Sequence, residues 1–237
     1  MKTILITGGS RGLGLEFTKQ YLKEGYQVIA ASRNALESVE LKELKEDYDN
    51  QLEIFQLDVS NEESRNRLYQ EIAKKVKKID ILINNAGIAS GNEKFRYKFG
   101  ELNQEDLCRS FLVNSVAQLM ITEKFFPLLN KGNQSIVVNI SSDSGSITRK
   151  KYPGSYGYSS SKTALNMITK ILSIELKESD IIVVSLHPGW VKTTMIYTEK
   201  APLETEESIS GIIQVIESLG LKDSGKFFDW KGNEMPW

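Results

Sequence analysis

Cysteine and histidine are nearly absent from this sequence, with Cys108 and His187 the sole examples in 237 residues. One cysteine excludes an internal disulfide and any thiolate-rich metal centre. One histidine argues against a histidine-based metal site and against a serine–histidine–aspartate triad. A dominant charge is also lacking: 30 Lys and Arg stand against 31 Asp and Glu, a net charge of −1. That leaves no bulk field to attract nucleic acid or anionic lipid. No apolar run approaches the roughly 20 residues of a membrane span. The opening Met1-Lys2-Thr3-Ile4-Leu5-Ile6 runs straight into glycines, without the apolar core of a signal peptide. Internal repeats, low-complexity tracts and Pro/Gly/Ser linkers are missing too. These absences leave a metal-independent, cytoplasmic, globular protein as the expectation. The content of 40% apolar and 26% charged residues suits one α/β domain spanning 1–237, long enough to bury a core.

What is present is alternation. Apolar, β-rich runs at 3–7, Gln27–Ala31, Glu53–Leu57, Asp80–Asn84, Ser135–Ile140 and Ile181–Leu186 are separated by helical patterns. Those patterns lie near 13–24, 61–76, 103–130 and 157–178, and Gly225–Trp230 offers a further strand. The near-continuous apolar character of the strands suits a sheet covered on both faces. The spacing predicts a Rossmann-type, doubly wound parallel sheet of about seven strands with helices on both faces. Ligands bind such sheets beyond the carboxyl ends of the strands. Small and polar residues collect at every one of those exits.

The first exit is Thr7-Gly8-Gly9-Ser10-Arg11-Gly12-Leu13-Gly14, placed between a strand and the helical Leu15, Phe17, Tyr21 and Leu22. One glycine there needs no more than a left-handed turn. Three, at Gly8, Gly12 and Gly14, let a diphosphate approach the helix N-terminus. With Thr7 in front, the Gly-x-x-x-Gly-x-Gly spacing resembles the short-chain dehydrogenase/reductase family. A second hallmark of that family is matched by Asn84-Asn85-Ala86-Gly87 after the fourth strand.

The resemblance implies a nicotinamide cofactor, and the second strand's exit points to NADP(H). Where an NAD-binding chain carries an acid for the ribose, this one has Ser32 followed by Arg33. A guanidinium suits the 2′-phosphate by charge and bidentate geometry, and Arg11 supplies a second cation. The bland alternative is that both arginines are merely solvated. Ser10 and Leu13 fall within the glycine turn. Asp58 is placed to accept from the adenine amino group beside Val59, or else to cap a helix, for which Ser60 and Asn61 are better placed. By the same resemblance, Asn85, Ala86 and Gly87 approach a ribose, while Pro188, Gly189, Val191 and Thr193 serve the nicotinamide end.

Tyr158-Ser159-Ser160-Ser161-Lys162 puts a phenol and an ammonium on one helix face. Alone, such a pair is an ordinary surface contact; its Gly/Ser-rich approach and the preceding Ser141-Ser142 give it weight. A phenol with a pKa of about 10 transfers protons poorly near neutrality. A nearby ammonium, together with a cationic nicotinamide ring in the oxidised complex, is expected to lower it. The family resemblance implies that Tyr158 protonates a carbonyl oxygen as hydride arrives from NADPH, with Ser142 donating to the same oxygen. It also assigns Lys162 to the nicotinamide ribose and to tuning Tyr158, so both residues bind cofactor as well. Asn114 completes the family's tetrad, or simply bends its helix.

In many family members the serine sits where this chain has Gly145, so choosing Ser142 over Ser141 or Ser144 implies a lengthened loop. That loop, with Gly145-Ser146-Ile147 and Gly154-Ser155-Tyr156-Gly157-Tyr158, resembles the branch holding C-factor proteins and Sniffer-type carbonyl reductases. Leu186-His187-Pro188-Gly189-Trp190-Val191, Phe228-Asp229-Trp230 and Pro236-Trp237 extend the likeness. The branch implies reduction of a small-molecule aldehyde or ketone. Its alternative is an NADP(H)-binding signalling protein acting through a partner.

His187 reads as structural, since Tyr158 holds the proton-transfer post. Arg149-Lys150-Lys151 is either a solvated loop or an attractor of anionic substrates. Residues 88–102 and 190–208 are expected on the substrate side, where Phe95, Tyr97, Phe99, Trp190, Met195 and Tyr197 suit a lipophilic carbonyl compound. A mobile lid is expected around 190–210, centred on 199–207. Cys108 is expected in the core or at an interface. A homodimer or homotetramer through the helices near 103–130 and 157–178 would use Cys108, Leu112, Met120, Met167 and Ile171.

Overall fold

A computed structural model describes residues 1–89, 99–193 and 201–237. Its strands are β1 (Thr3–Thr7), β2 (Gln27–Ser32), β3 (Leu52–Gln56), β4 (Ile81–Asn84), β5 (Ile136–Ile140), β6 (Ile182–His187) and β7 (Phe227–Asp229). They form one seven-stranded sheet in the order β3-β2-β1-β4-β5-β6-β7, parallel throughout. The helices are α1 (Gly12–Lys23), α2 (Val39–Asp47), α3 (Glu62–Lys75), α4 (Gln104–Phe111), α5 (Ala117–Leu129), α6 (Tyr156–Glu175) and α7 (Thr205–Ser218).

β1 explains why the strands read as unbroken apolar runs. All five of its residues are buried. Ile4 and Ile6 face a core closed by Leu15 and Phe17 of α1 and by Ile209 and Ile213 of α7. Leu5 faces the opposite core, with Leu68 and Ile72 of α3 and Ile121 and Phe125 of α5. Side chains alternate across a strand, so both faces demand apolar residues when both are covered. Each such side chain contributes about 1.5–3 kcal/mol on burial.

The order reverses at β1, which leads to β2 and β3 on one side while β4 continues the sheet on the other. Diverging connections open a crevice there, at the carboxyl ends of β1 and β4.

Four expectations are corrected or narrowed. The single helix near 103–130 is interrupted: α4 ends at Phe111, a π-helical turn covers Leu112–Val116, and α5 follows. Its start is as read, with Asn103 capping the Asp106 amide at 3.0 Å. Helix α2 escapes apolar periodicity because only Leu41 is buried; the Ser38 cap on the Leu41 amide holds its start. Part of the segment 190–210, expected as a lid, forms secondary structure. Leu203 bridges to Val191, and Thr205 opens α7, whose apolar stripe packs beside α1. The rest of that expectation, at 194–200, lies outside the described residues. Of the two places expected for Cys108, core or interface, its exposure removes the core.

Among the described residues, no helix is long and apolar enough to cross a membrane. No His/Cys/Asp/Glu cluster suited to a metal ion occurs there either.

Candidate active site

The glycine turn is shaped by its backbone. Gly8 and Gly12 have φ of 70° and 54°, a region that favours glycine. A Cβ on Gly14 would collide with the Gly8 carbonyl oxygen and with Asn85 Nδ2, so α1 can approach the β4 exit only through glycine. Thr7 ties the two exits together. Its Oγ1 accepts from the amides of Asn85 (3.0 Å) and Ala86 (3.1 Å), while Asn85 Nδ2 donates to the Thr7 carbonyl at 2.9 Å. The first turn of α1 carries no acidic residue and no side-chain cap, which leaves its positive end available to an anion.

Above these exits lies a cavity of about 440 Å³. Gly8, Ser10, Arg11, Gly12 and Leu13 line one wall, and Ser32, Arg33, Asp58 and Val59 the next. Asn85, Ala86, Gly87 and Thr193 line it too, whereas Gly14, Tyr158 and Lys162 of the expected set do not. Ser32 Oγ donates to Ser10 Oγ at 2.8 Å, joining the β1 and β2 exits. Burial works to raise the Asp58 carboxyl, but hydrogen bonds from Ser60 and the charges of Arg33 and Arg109 bring it below its ordinary value. The capping role goes to Asn61, which accepts from the Ser64 amide at 2.8 Å. Asp58 is thus an ionised acceptor at the cavity edge.

Pro188, Gly189 and Val191 are not part of this lining. The Pro188 carbonyl accepts from Ser208 Oγ at 2.6 Å, and a Cβ on Gly189 would press on Leu203 and Trp230. Arg109, Leu112 and Val113 do line it and were missed. Helical spacing back from Asn114 was the available signal, since Arg109 and Val113 are four apart on one face.

At Gly87 the cavity meets the tyrosine cluster. A Cβ on Gly87 would stand 3.3 Å from Asn114 Oδ1 and 3.7 Å from Lys162 Nζ. Asn114 sits in the π-helical turn, which turns its side chain inward. Its Oδ1 accepts from the Ile88 amide, and its Nδ2 donates to the Ile88 carbonyl, both at 2.8 Å; Nδ2 also reaches Ser161 Oγ at 3.0 Å. Asn114 therefore clamps the β4 exit to α6.

The loop after β5 is sewn to α6. Thr163 Oγ1 donates to the Gly145 carbonyl at 2.9 Å, and Gly145 lacks the Cβ that would press on the Lys162 backbone. Ser141 Oγ donates to Asn166 Oδ1 at 2.6 Å and is occupied by that bond. Ser144 contributes its amide to Ser142 Oγ at 3.1 Å. Ser142 Oγ donates to Asp143 Oδ1 at 3.1 Å, and of the three serines it is the one that acts to lower the Tyr158 phenol.

In the protein alone the ammonium does not lower the Tyr158 phenol. Burial raises it above its ordinary value; the Ser142 hydrogen bond opposes this, and the Asp143 carboxylate adds to it. Lys162 Nζ is 5.9 Å from the Tyr158 ring centroid and donates to the Ile140 carbonyl at 2.7 Å. Burial lowers this ammonium to about 8, so desolvation governs both groups. His187 is held below its ordinary value chiefly by burial, and its Nδ1 accepts from the Asp143 amide at 3.2 Å. That is the structural role read from sequence. Lys150 of the basic run donates to Ser159 Oγ at 2.9 Å, bracing the start of α6.

Of the expected substrate-side aromatics, Phe99 and Trp190 are exposed. Phe95, Tyr97, Met195 and Tyr197 lie outside the described residues. Met167 and Ile171 are exposed on α6, as is Leu112 in the adjoining π-helical turn, whereas Met120 is partly covered.

Comparison with known proteins agrees with this geometry. A family model for short chain dehydrogenase matches residues 2–203. C-signal of Myxococcus xanthus is 36% identical over 159 residues, which is 67% of this chain and 93% of that protein. The solved carbonyl reductase Sniffer of D. melanogaster has 34% identity and a TM-score of 0.93, covering 100% of both chains. The NADPH-bound carbonyl reductase from chicken fatty liver has 32% identity and a TM-score of 0.90, covering 100% of this chain and 99% of that one. The matched span takes in the glycine turn, β1 to β6 and the tyrosine helix, and the chain belongs to the short-chain dehydrogenase family.

Proposed function

We propose that the chain is an NADPH-dependent reductase converting an aldehyde or ketone to an alcohol, with Tyr158 as proton donor. The observation that carries the reading is the cluster of buried Ser142 and Lys162 with the half-buried Tyr158, where the glycine-lined cavity ends at Gly87. The cavity fits the cofactor: glycines where a Cβ would intrude, the open helix N-terminus, and Asp58 as acceptor. When bound, NADPH supplies the hydride. Tyr158 delivers the proton to the carbonyl oxygen, and its raised affinity for protons keeps it loaded at neutral pH. Ser142 orients that oxygen. Lys162 binds the nicotinamide ribose, and Asn114 keeps the β4 exit and α6 in register beneath it. Pro188, Gly189, Val191 and Thr193 are assigned to the nicotinamide end. The test is NADPH oxidation with a panel of aldehydes, diketones and quinones, with NADH as control; no turnover across the panel would count against the reading.

The choice of NADPH rests on Arg11 and Arg33, which line the cavity where Ser32 replaces an acid. Arg33→Ala is expected to lower kcat/KM for NADPH by about tenfold to a hundredfold, the worth of one charge-assisted hydrogen bond, and to leave NADH little changed. Equal losses with both cofactors would refute the 2′-phosphate assignment.

A homodimer is proposed through α6 and the π-helical turn, where Phe111, Leu112, Val116, Met167, Ile171 and Ile174 expose apolar surface on neighbouring elements. Sedimentation at micromolar concentration should give a species near twice 26.7 kDa; a species at 26.7 kDa removes the dimer.

A further inference from the structure

The loop after β5 is fastened on two sides. Its inner half leans on α6, where Thr163 Oγ1 and Asn166 Nδ2 donate to the Gly145 carbonyl at 2.9 and 3.3 Å. Its outer half, 146–149, has no such support. Among the described residues, every hydrogen bond that leaves this half ends on Pro236 or Trp237. Ser146 Oγ donates to the Pro236 carbonyl at 2.7 Å, and the amide and hydroxyl of Thr148 donate to the Trp237 carbonyl at 3.0 and 2.8 Å. The tail is itself held by the sheet. It folds back on β7, where the Met235 amide donates to the Phe227 carbonyl at 2.7 Å and Glu234 bridges to Phe228. The Trp237 ring stacks on Phe227, with 5.6 Å between centroids and 18° between planes. Between Ser146 and Ser142 lies a single 3-10 turn, Asp143–Gly145. The Gly145 amide closes it on the Ser142 carbonyl at 2.9 Å, and the Ser146 amide on the Asp143 carbonyl at 3.0 Å. We propose that Trp237 is a positioning residue: with Pro236 it ties the outer half of the loop to β7, and through Ser146 and this turn it fixes the place of the Ser142 hydroxyl.

This role rests on the assignment of Ser142 to the substrate oxygen and adds what holds that serine in place. A group that orients a reacting atom must be fixed to a fraction of an ångström, and a lengthened loop gives it more freedom to lose. Attachment to α6 at Gly145 alone would leave the turn free to pivot. The second fastening, on the far side of Ser146, removes that freedom. Sealing the core is the work of Met235, which is 3% exposed. Trp237 stays 38% exposed, so its replacement spares the core. Neither the tail nor 146–149 lines the glycine-walled cavity, so cofactor binding is independent of the strap.

The test compares Trp237→Ala, Trp237→Phe and Thr148→Val with the wild type in the full chain. Amide hydrogen exchange at 144–148 is expected to quicken about fivefold to tenfold in Trp237→Ala and Thr148→Val, the protection that about one hydrogen bond gives. The amides of β4 and β5 should keep their rates. Trp237→Phe retains a ring for Phe227 and should stay near the wild type. Unchanged exchange in the loop overturns the proposal, and so does an equal quickening throughout the sheet. This readout needs no substrate, so it decides the strap even if no carbonyl in the panel is turned over. Where turnover is found, Trp237→Ala should lower kcat about tenfold, on the scale of a small misplacement of a reacting group, with NADPH affinity unchanged. In a Ser142→Ala background the same substitution should cost less than about twofold, because the group it positions is gone. A full tenfold loss without Ser142 also overturns the proposal, since the tail would then act on something else.

Discussion

Tyr158→Phe is expected to lower kcat for NADPH-dependent carbonyl reduction by about 10²–10⁴-fold, the range for loss of a positioned general acid. The change deletes one hydroxyl and keeps the ring that packs near Lys162. The glycine turn and the arginines line the cavity and Tyr158 does not, so NADPH affinity should be retained. Turnover and cofactor titration measured side by side separate the two quantities. Loss of both would mean that the variant had misfolded or that Tyr158 is chiefly a cofactor contact. Turnover that persists would remove Tyr158 from the chemistry. A regulatory role exercised through bound cofactor, the alternative that the C-factor resemblance raises, would survive this substitution while reduction would not.

Lys162→Met should do two opposite things at once. It should cost about a hundredfold in turnover, as removal of a preorganised cation at a reacting centre does. It should also stabilise the protein at neutral pH. Lys162 is 5% exposed, and burial lowers its ammonium from 10.5 to about 8. The unfolded chain therefore binds more protons between about pH 8 and pH 10.5, so the folded state gains stability as pH rises through that window. Below it the full penalty applies, about 3 kcal/mol for a shift of this size. The lost hydrogen bond to the Ile140 carbonyl offsets about 1 kcal/mol. A net gain of about 2 kcal/mol corresponds to a Tm rise of about 4–8 °C for a chain of this length. Thermal melts across the alkaline range check it. The wild type should stabilise between about pH 8 and pH 10.5 and the variant should not. A variant that melts lower at neutral pH would show that the ammonium is better compensated than its single hydrogen bond implies. Catalytic groups held at a cost to stability are a recurrent trade-off.

The strands and the cavity were legible in the sequence for the same reason. A parallel sheet covered on both faces demands unbroken apolar runs, and a backbone that approaches a phosphate demands glycine; neither requirement leaves much choice of residue. Ser142 was legible from loop length, and the bond between Ser141 and Asn166 supplies the physical reason for it. Helix α2 was not legible because one buried leucine carries no period. The π-helical turn was invisible because Leu112–Val116 has ordinary helical residues, and the bulge depends on Asn114 reaching Ile88 across the fold. The desolvation that acts on Tyr158 and Lys162 in the protein alone was not legible, because burial is a property of the packed fold. Arg109 and Asp143 were overlooked because their significance lies in what they face, which the chain order does not state.

The bond between Thr7 and Asn85 joins residues 78 positions apart, and Ser146 reaches the Pro236 carbonyl across 90. Such closures delay rather than prevent order, because the entropy of closing long loops is lost before the contacts form. The two walls of the cavity come from opposite sides of the sheet's reversal and acquire their spacing only when both halves have docked on β1. Cofactor capture should therefore come late in refolding, as a readout of completed topology, with little affinity for half-formed states. A ligand of that kind stabilises the finished molecule by mass action and does little to guide the search for it.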